Sequence, residues 1–212
     1  MLHTLEALGY IRHEGSNFRL TPRVLDLARV YLSTAAVWGR VEPVLQKVSQ
    51  EVREACSATI LSGTEIVHVV GVPGPRLMTA HVAVGTRLPA YCTSTGRVLL
   101  GALSKHELDR VLKASNITKR TQYSVTSIAE LKRIIQRDHQ RGWSFLNQEL
   151  EEGLCGLAVP IFDRSHRIIA GITVFGDVSR WSPSRAMISR VLPRLRQAAQ
   201  EVSALLPERK SS

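Results

Sequence analysis

Apolar positions along this chain follow a helical period near its two ends and a strand period in the stretches between. Leu2, Leu5 and Leu8 share one helix face, and Gly9 stands where such a helix would stop. Tyr10 to His13 and Phe18 to Leu20 then read as two short strands joined by a Glu14-Gly15-Ser16-Asn17 turn. Thr21-Pro22 predicts a helix start, because threonine can cap the first turn and proline has no N–H to lose there. That helix carries Val24, Leu27, Ala28 and Tyr31 on one face, widened by Leu25 and Leu32. A second helix is predicted from Val41 to Arg53, after Trp38-Gly39.

From Ala55 the period becomes two. "ACSATILSGTEIVHVVGVPG" reads as two strands around a Ser62-Gly63-Thr64 turn, and "RLMTAHVAVG" as a third. Ser104 with Glu107, and Ser127 with Glu130, are capping-box pairs that start helices near Lys105 and Ile128. The second of these carries Ile128, Leu131, Ile134 and Ile135 and ends at Gly142. Three more strands follow in "WSFLNQEL", "LCGLAVPIF" and "RIIAGITVFG", the last two joined by a hairpin turn from Asp163 to His166. Ser182-Pro183 opens a last helix whose buried face holds Ile188, Val191, Leu192, Leu195, Ala198, Ala199, Val202, Leu205 and Leu206. Short turns between neighbouring strands, with the helices grouped, predict an α+β domain on an antiparallel sheet. Only the tail "PERKSS" reads as disordered.

Composition narrows the class. With 212 residues, 44% hydrophobic and 22% charged, the chain can bury one core of ordinary size and a smaller piece. No apolar run approaches the roughly 18 residues that span a bilayer, and "MLHTLEALGY" lacks the basic start of a secretory signal, so the cytoplasm is the expected compartment. Cys56, Cys92 and Cys155 are too far apart for a disulfide framework and read as reduced thiols. The seven histidines show no H-x-H or H-x-x-x-H spacing, and no metal site is expected. A net charge of +10 invites a nucleic-acid reading, but the excess Lys and Arg are spread over helical patterns, where they read as solvated faces.

Candidate chemistry centres on "LPAYCTSTGRVLLGAL", where Cys92, Thr93, Ser94 and Thr95 stand directly before Gly96 and a helix-like apolar run. Three readings compete: a helix cap, a nucleophile and a cradle for a small anion. The nucleophile elbow of a serine hydrolase needs a leading glycine where Tyr91 or Cys92 stands. Cys92 with His68 or His81 as base stays as an enzymatic alternative. There is no P-loop and no dinucleotide fingerprint, so no cofactor is expected. Cap and cradle are compatible, because the unpaired N–H groups of a helix start lie at the positive dipole end and favour a carboxylate or phosphate. "GLCGLAV" and "GITVFG", rich in small residues, can floor a pocket facing that helix end.

With those residues in view, the chain resembles the IclR-type bacterial transcriptional regulators. The resemblance runs through "TLEALGYIRHEGSNFRLTPRVLDLARVYLS", "GTRLPAYCTSTGRVLLGAL", "RGWSFLNQELEEGLCGLAVPIFD" and "GITVFG", nearly the whole chain. Its "LPAYCTS" and "QELEEGL" segments resemble the branch that controls aromatic-acid catabolism and senses compounds such as protocatechuate, 4-hydroxybenzoate or β-ketoadipate-pathway intermediates. The resemblance implies an N-terminal winged helix-turn-helix, a GAF-like effector domain and a homodimer or homotetramer. Residues 1–20 would then be the end of a recognition helix and its wing, 21–54 a helical linker, 55–207 the GAF-like effector domain and 208–212 a disordered tail.

The same resemblance implies a site. Ser94, Thr95 and Gly96 would offer backbone N–H groups to the acid group of a small aromatic or other carboxylic effector, with Leu88, Leu146, Leu154, Gly156, Thr173 and Phe175 as walls. Leu146, Gly156 and Phe175 stand where some members have polar residues, which favours a flatter, more apolar ligand. Phe175 stacked on an aromatic ring would add about 0.5–1.5 kcal/mol beyond area burial. Arg12 and Arg19 would be residual DNA contacts. Because the chain opens inside what would be the recognition helix, roughly 40 to 50 residues of such a domain are expected upstream of Met1. Operator DNA is the expected partner of the full domain and a poor one of the chain as it stands; no membrane partner is implied. The implied function is an effector-responsive, DNA-binding transcriptional regulator of aromatic-compound catabolism; the alternatives are a ligand-sensing or dimerisation module without DNA binding and, behind it, an enzyme using Cys92.

Overall fold

The computed structural model describes residues 2–26, 36–74, 83–182 and 184–205. The chain divides into two compact units, Met1–Gly39 and Arg40–Ser212.

In the first unit, α1 (Leu2–Ala7) ends in a Schellman closure: Tyr10 N–H donates to the Leu5 carbonyl at 2.9 Å and Gly9 N–H to that of Glu6 at 2.8 Å. Gly9 takes the left-handed φ of +75° that this closure requires. β1 (Ile11–Glu14) pairs antiparallel with β2 (Asn17–Leu20), so the loop is the two residues Gly15-Ser16, tighter than the four-residue turn expected. Glycine at φ +65° permits that turn, and Glu14 and Asn17 become a strand pair. The Thr21 hydroxyl donates to the Gly9 carbonyl at 2.5 Å, and its oxygen accepts from Arg23 N–H at 3.3 Å. Helical geometry resumes at residues 24–26. The rest of the helix predicted there, Leu27 to Leu32, lies outside the described residues.

The second unit begins within α2 (Ala36–Val52), which starts at Ala36 rather than Val41 and runs through Trp38-Gly39. One helical glycine costs only about 1 kcal/mol, and the buried stripe Val41, Leu45, Val48 and Val52 outweighs it. Among the described residues six strands follow: β3 (Ala55–Ser62), β4 (Glu65–Val72), β5 (Arg87–Pro89), β6 (Ser144–Asn147), β7 (Leu154–Phe162) and β8 (Ile168–Asp177). They form one antiparallel sheet in the order β5-β4-β3-β8-β7-β6, so an early and a late hairpin meet at the central β3–β8 pair. A third strand is expected over "RLMTAHVAVG". Residues 75–82 lie outside the described residues, and Ala83 to Thr86 form a turn. The third strand of this part is β5, three residues at the sheet edge, where Pro89 has no ladder N–H to give.

Between the two hairpins lie α3 (Ser94–Leu100), α4 (Lys105–Ala114) and α5 (Ile128–Arg141). Ser104 and Glu107 complete a reciprocal capping box on α4, Ser127 accepts from Glu130 N–H on α5, and Gly142 ends α5 at φ +73°. Ile66, Tyr91, Leu99, Leu100, Leu112, Leu131 and Ile135 pack into one buried cluster of these helices and the sheet. The last helix, α6 (Ser184–Leu205), packs on β7 and β8 with Val191, Leu195, Ala198 and Val202 wholly buried. Strand alternation gives each sheet face its own chemistry. Leu157, Val159, Ile172 and Val174 make one face continuously apolar, whereas Ser57, Thr59, Gly156, Gly171 and Thr173 make the other small and polar.

Candidate functional site

α3 sits over the small, polar face of the sheet. Its start follows from the sequence order Pro89-Ala90-Tyr91-Cys92-Thr93: a 3-10 turn over Ala90–Cys92, then Thr93 in extended geometry as N-cap. The Thr93 Oγ1 accepts the Gly96 N–H at 3.2 Å, so the cap uses that amide. The Thr93 hydroxyl donates in turn to the carbonyl of Pro89 (3.2 Å) or Ala90 (3.3 Å). An α-helix leaves its first amides without a partner one turn back; with Gly96 taken by the cap, those of Ser94 and Thr95 are the ones at the helix start not given to it.

Gly96 therefore plays a different part from the one its neighbours do. A Cβ there would come within 2.1 Å of the Ala90 carbonyl oxygen and 2.4 Å of Thr93 Oγ1, so the glycine lets the 3-10 turn and the helix touch. Its amide is spent internally and it does not line the cavity described below, a correction to its expected place beside Ser94 and Thr95.

The Ser94 Oγ lies 3.1 Å from Thr173 Oγ1 on β8. Thr173 Oγ1 is also 3.1 Å from the Leu157 carbonyl and 3.3 Å from that of Val174, and either hydroxyl can donate between Ser94 and Thr173. The Ser94 hydroxyl is thus engaged with β8, while its backbone amide belongs to the helix start. Below it, a Cβ on Gly156 would sit 3.2 Å from Ser94 Oγ and 3.5 Å from Phe175 Cβ, so the missing side chain opens space there.

That space is a cavity of about 230 Å³, bounded by Leu88, Ser94, Thr95, Leu146, Leu154, Gly156, Thr173 and Phe175 among others. Eight of the nine positions expected at a site are brought together, from five elements: β5, α3, β6, β7 and β8. Arg12 and Arg19 belong to the first unit. They are exposed and directly paired across the hairpin, and both reach Glu14, at 2.7 and 3.0 Å.

The cavity also has lining that sequence reasoning missed: Ile66, His68, Thr86, Thr93, Leu150, Glu151 and Cys155. Two of these depend on a β-bulge. Ser57 faces Gly71 and Ala58 faces Val70, but the register then slips by one, so that Thr59 faces His68 and Leu61 faces Ile66. Without the slip His68 would point to the opposite face. Only the lone polar residue within "IVHVV" hints at this in the sequence. His68 is 3% exposed, and burial lowers its pKa from 6.5 to about 4, so the imidazole is neutral near pH 7. Among the described lining residues there is no Lys or Arg, and the one charged side chain is Glu151.

Cys92 lies away from this space, in the apolar cluster with Tyr91, Leu99 and Leu112, and burial pushes its thiol up to about 11. Its environment suppresses the thiolate that a nucleophile needs. Among the described residues no group of His, Cys, Asp or Glu is arranged to hold a metal ion, and no helix is long and apolar enough to cross a membrane.

Comparison with known proteins gives consistent matches. Residues 29–204 match the family model for the bacterial transcriptional regulator IclR C-terminal domain. The Pca regulon regulatory protein of Pseudomonas putida is 36% identical over 202 residues, covering 95% of this chain and 69% of that protein. The crystal structure of a transcriptional regulator from Rhodococcus sp. RHA1 superposes with a TM-score of 0.83 at 40% identity, over 97% of this chain and 82% of that one. A double mutant of the PobR transcription factor inducer-binding domain from Acinetobacter, in complex with 3-hydroxybenzoic acid, superposes with a TM-score of 0.74 at 26% identity, over 79% of this chain and 98% of that one.

Proposed function

Since the chain belongs to the IclR family of bacterial transcriptional regulators, and is not an enzyme, we propose that the cavity under α3 is its effector site and that the effector is a small, flat aromatic carboxylic acid. The observation that carries this reading is the asymmetry of the cavity. Ser94 and Thr95, the first residues of α3, are part of its lining, and the remaining walls are mostly apolar, with Phe175 beside the gap left by Gly156. A carboxylate is acceptor-only and suits the amides, and an aromatic ring suits the walls. The inducer-binding domain that superposes at 26% identity is in complex with such an acid.

In this reading the acid biases the arrangement of the winged-helix units of a homodimer or homotetramer in the cytoplasm, and so the hold on operator DNA. Arg12 and Arg19 would touch phosphate. Replacing both with alanine is expected to lower the slope of log affinity against log salt by less than two, because Glu14 already shares their charge.

The site is tested by thermal unfolding with benzoate, 3-hydroxybenzoate, 4-hydroxybenzoate and protocatechuate, against aliphatic dicarboxylates. A ligand at about 100 times its Kd adds about 2.7 kcal/mol, which at this chain length raises Tm by about 5–10 °C. Gly156→Leu, which fills the space beneath Ser94, is expected to remove the shift. A shift that survives Gly156→Leu, or no shift with any aromatic acid, would sink the proposal.

A further inference from the structure

His68 is a buried polar side chain that the fold itself leaves unused. It is 3% exposed, it lines the cavity, and neither Nδ1 nor Nε2 has a hydrogen-bond partner among the described residues. Its cross-strand neighbour Thr59, and Ser57 on the same face of β3, are wholly buried, and their hydroxyls likewise lack a partner. A buried polar group without a partner is destabilising, so an imidazole turned by a bulge onto this face is a standing cost to stability. An aliphatic side chain at the same place would avoid it.

The topology fixes where His68 lies relative to the amide end. Ser94 sits over Thr173 on β8, and Thr173 pairs with Ser57 on β3. His68 pairs with Thr59 on the other side of β3. From Thr173 to His68 the sheet therefore runs two strand spacings across and two residues along, roughly 12 Å between backbone positions. Less the reach of the side chains, that span fits a ring with polar groups on opposite sides.

We propose that His68 sets the specificity of the cavity by hydrogen-bonding a second polar group, a hydroxyl or oxo substituent, on the effector at the end away from its carboxylate. The inference rests on the effector reading above. A neutral imidazole has one donor and one acceptor nitrogen, so it serves either substituent and gives nothing to an unsubstituted ring.

Isothermal titration of the full chain with benzoate, 3-hydroxybenzoate and 4-hydroxybenzoate tests it. The chain is expected to bind one hydroxybenzoate at least about tenfold more tightly than benzoate, the worth of one good hydrogen bond. In His68→Leu the preference falls to within about twofold and benzoate affinity is retained. His68→Gln, with a donor and an acceptor, keeps part of the preference. The Tm of ligand-free His68→Leu is not lowered, because the variant removes an unpartnered polar group; a residue kept for packing would not show both effects. If His68→Leu fails to fold, nitrogen NMR of the unmodified chain replaces it: the His68 ring nitrogens move with the preferred hydroxybenzoate and stay with benzoate. Equal affinities for all three acids, an unchanged preference in His68→Leu, or ring nitrogens indifferent to the hydroxyl overturn the inference and leave the effector reading standing. Failure of every acid to bind the unmodified chain overturns both.

Discussion

Arg97 and Glu149 form a two-point ion pair inside the second unit, with Nη1 2.8 Å from Oε1 and Nη2 2.5 Å from Oε2. The guanidinium also donates from Nε to the Tyr91 carbonyl at 3.1 Å, so one side chain joins α3, the 3-10 turn before it and the loop after β6. That loop carries Leu150 and Glu151, which line the cavity, and it is held further by the Thr121 and Ser124 hydroxyls on the carbonyls of Gln148 and Glu149. The pair therefore sets one wall of the cavity against the helix start opposite.

Breaking this pair from one side leaves a buried, uncompensated charge. Arg97→Met or Glu149→Leu is expected to cost about 3–5 kcal/mol in urea unfolding. The double variant, with no charge left to bury, is expected to recover most of that loss. A single variant that costs less than about 1 kcal/mol, the worth of an exposed pair, would show that the loop does not hold its buried position.

The helix start gives a second test. Gly96→Ala sets a methyl 2.1 Å from a backbone oxygen, which no rotamer change can relieve, and is expected to cost about 3 kcal/mol or more. Thr93→Ala removes a cap hydrogen bond and is expected to cost about 0.5–2 kcal/mol. Denaturant midpoints with unchanged slopes check both values. A tolerated Gly96→Ala would mean that the turn and the helix are not in contact.

Much of this was legible in the chain, and the misses have physical causes. α4 and α5 carry their own start signals in Ser104 and Ser127, and Gly142 its stop, because caps are local chemistry. β7 and β8 show as apolar runs long enough to identify themselves. β5 is not legible because three residues ending in proline carry no period, and the first turn of α2 is hidden because one glycine resembles a break when the buried stripe after it is unseen. At the site, the small residues of β7 and β8 announced a floor. His68 did not announce itself as lining, since its direction depends on a one-residue slip between β3 and β4, decided by pairing rather than by either strand alone. A glycine in a sequence does not say what it touches, and at Gly96 that is the Ala90 carbonyl and Thr93 Oγ1.

The thiols test the interior from another side. Burial pushes Cys92 up to about 11 and Cys155 up to about 12, and raises Cys56 further. At pH 8 a thiol with a pKa of 11 is roughly one part in a thousand thiolate, against about a quarter for a free cysteine. Ellman's reagent is expected to leave all three thiols of the native chain largely unmodified and to titrate them on unfolding in urea. Rapid modification of Cys92 in the native chain would contradict its burial and revive its candidacy as a nucleophile.

The buried imidazole makes stability depend on pH in a definite window. In the unfolded chain His68 takes up a proton as pH falls through 6.5, whereas in the folded chain burial holds it neutral down to about 4. Between those values the unfolded state binds more protons, so stability falls as pH falls from 6.5 towards 4 and is constant with respect to this group above 6.5. The full difference corresponds to roughly 3 kcal/mol. The exposed carboxylates that share hydrogen bonds, Glu107 with Ser104, Glu130 with Arg133 and Asp177 with Ser179, have lowered pKa values and withdraw their stabilisation only at more acidic pH. The two contributions have the same sign, and their windows overlap only near pH 4–4.5. Urea midpoints at pH 7, 6 and 5 should fall for the unmodified chain and fall less for His68→Leu, with the curves converging in slope below pH 4. A stability profile that His68→Leu leaves unchanged between pH 6.5 and 4 would mean that the imidazole is solvated and free to protonate in the folded protein.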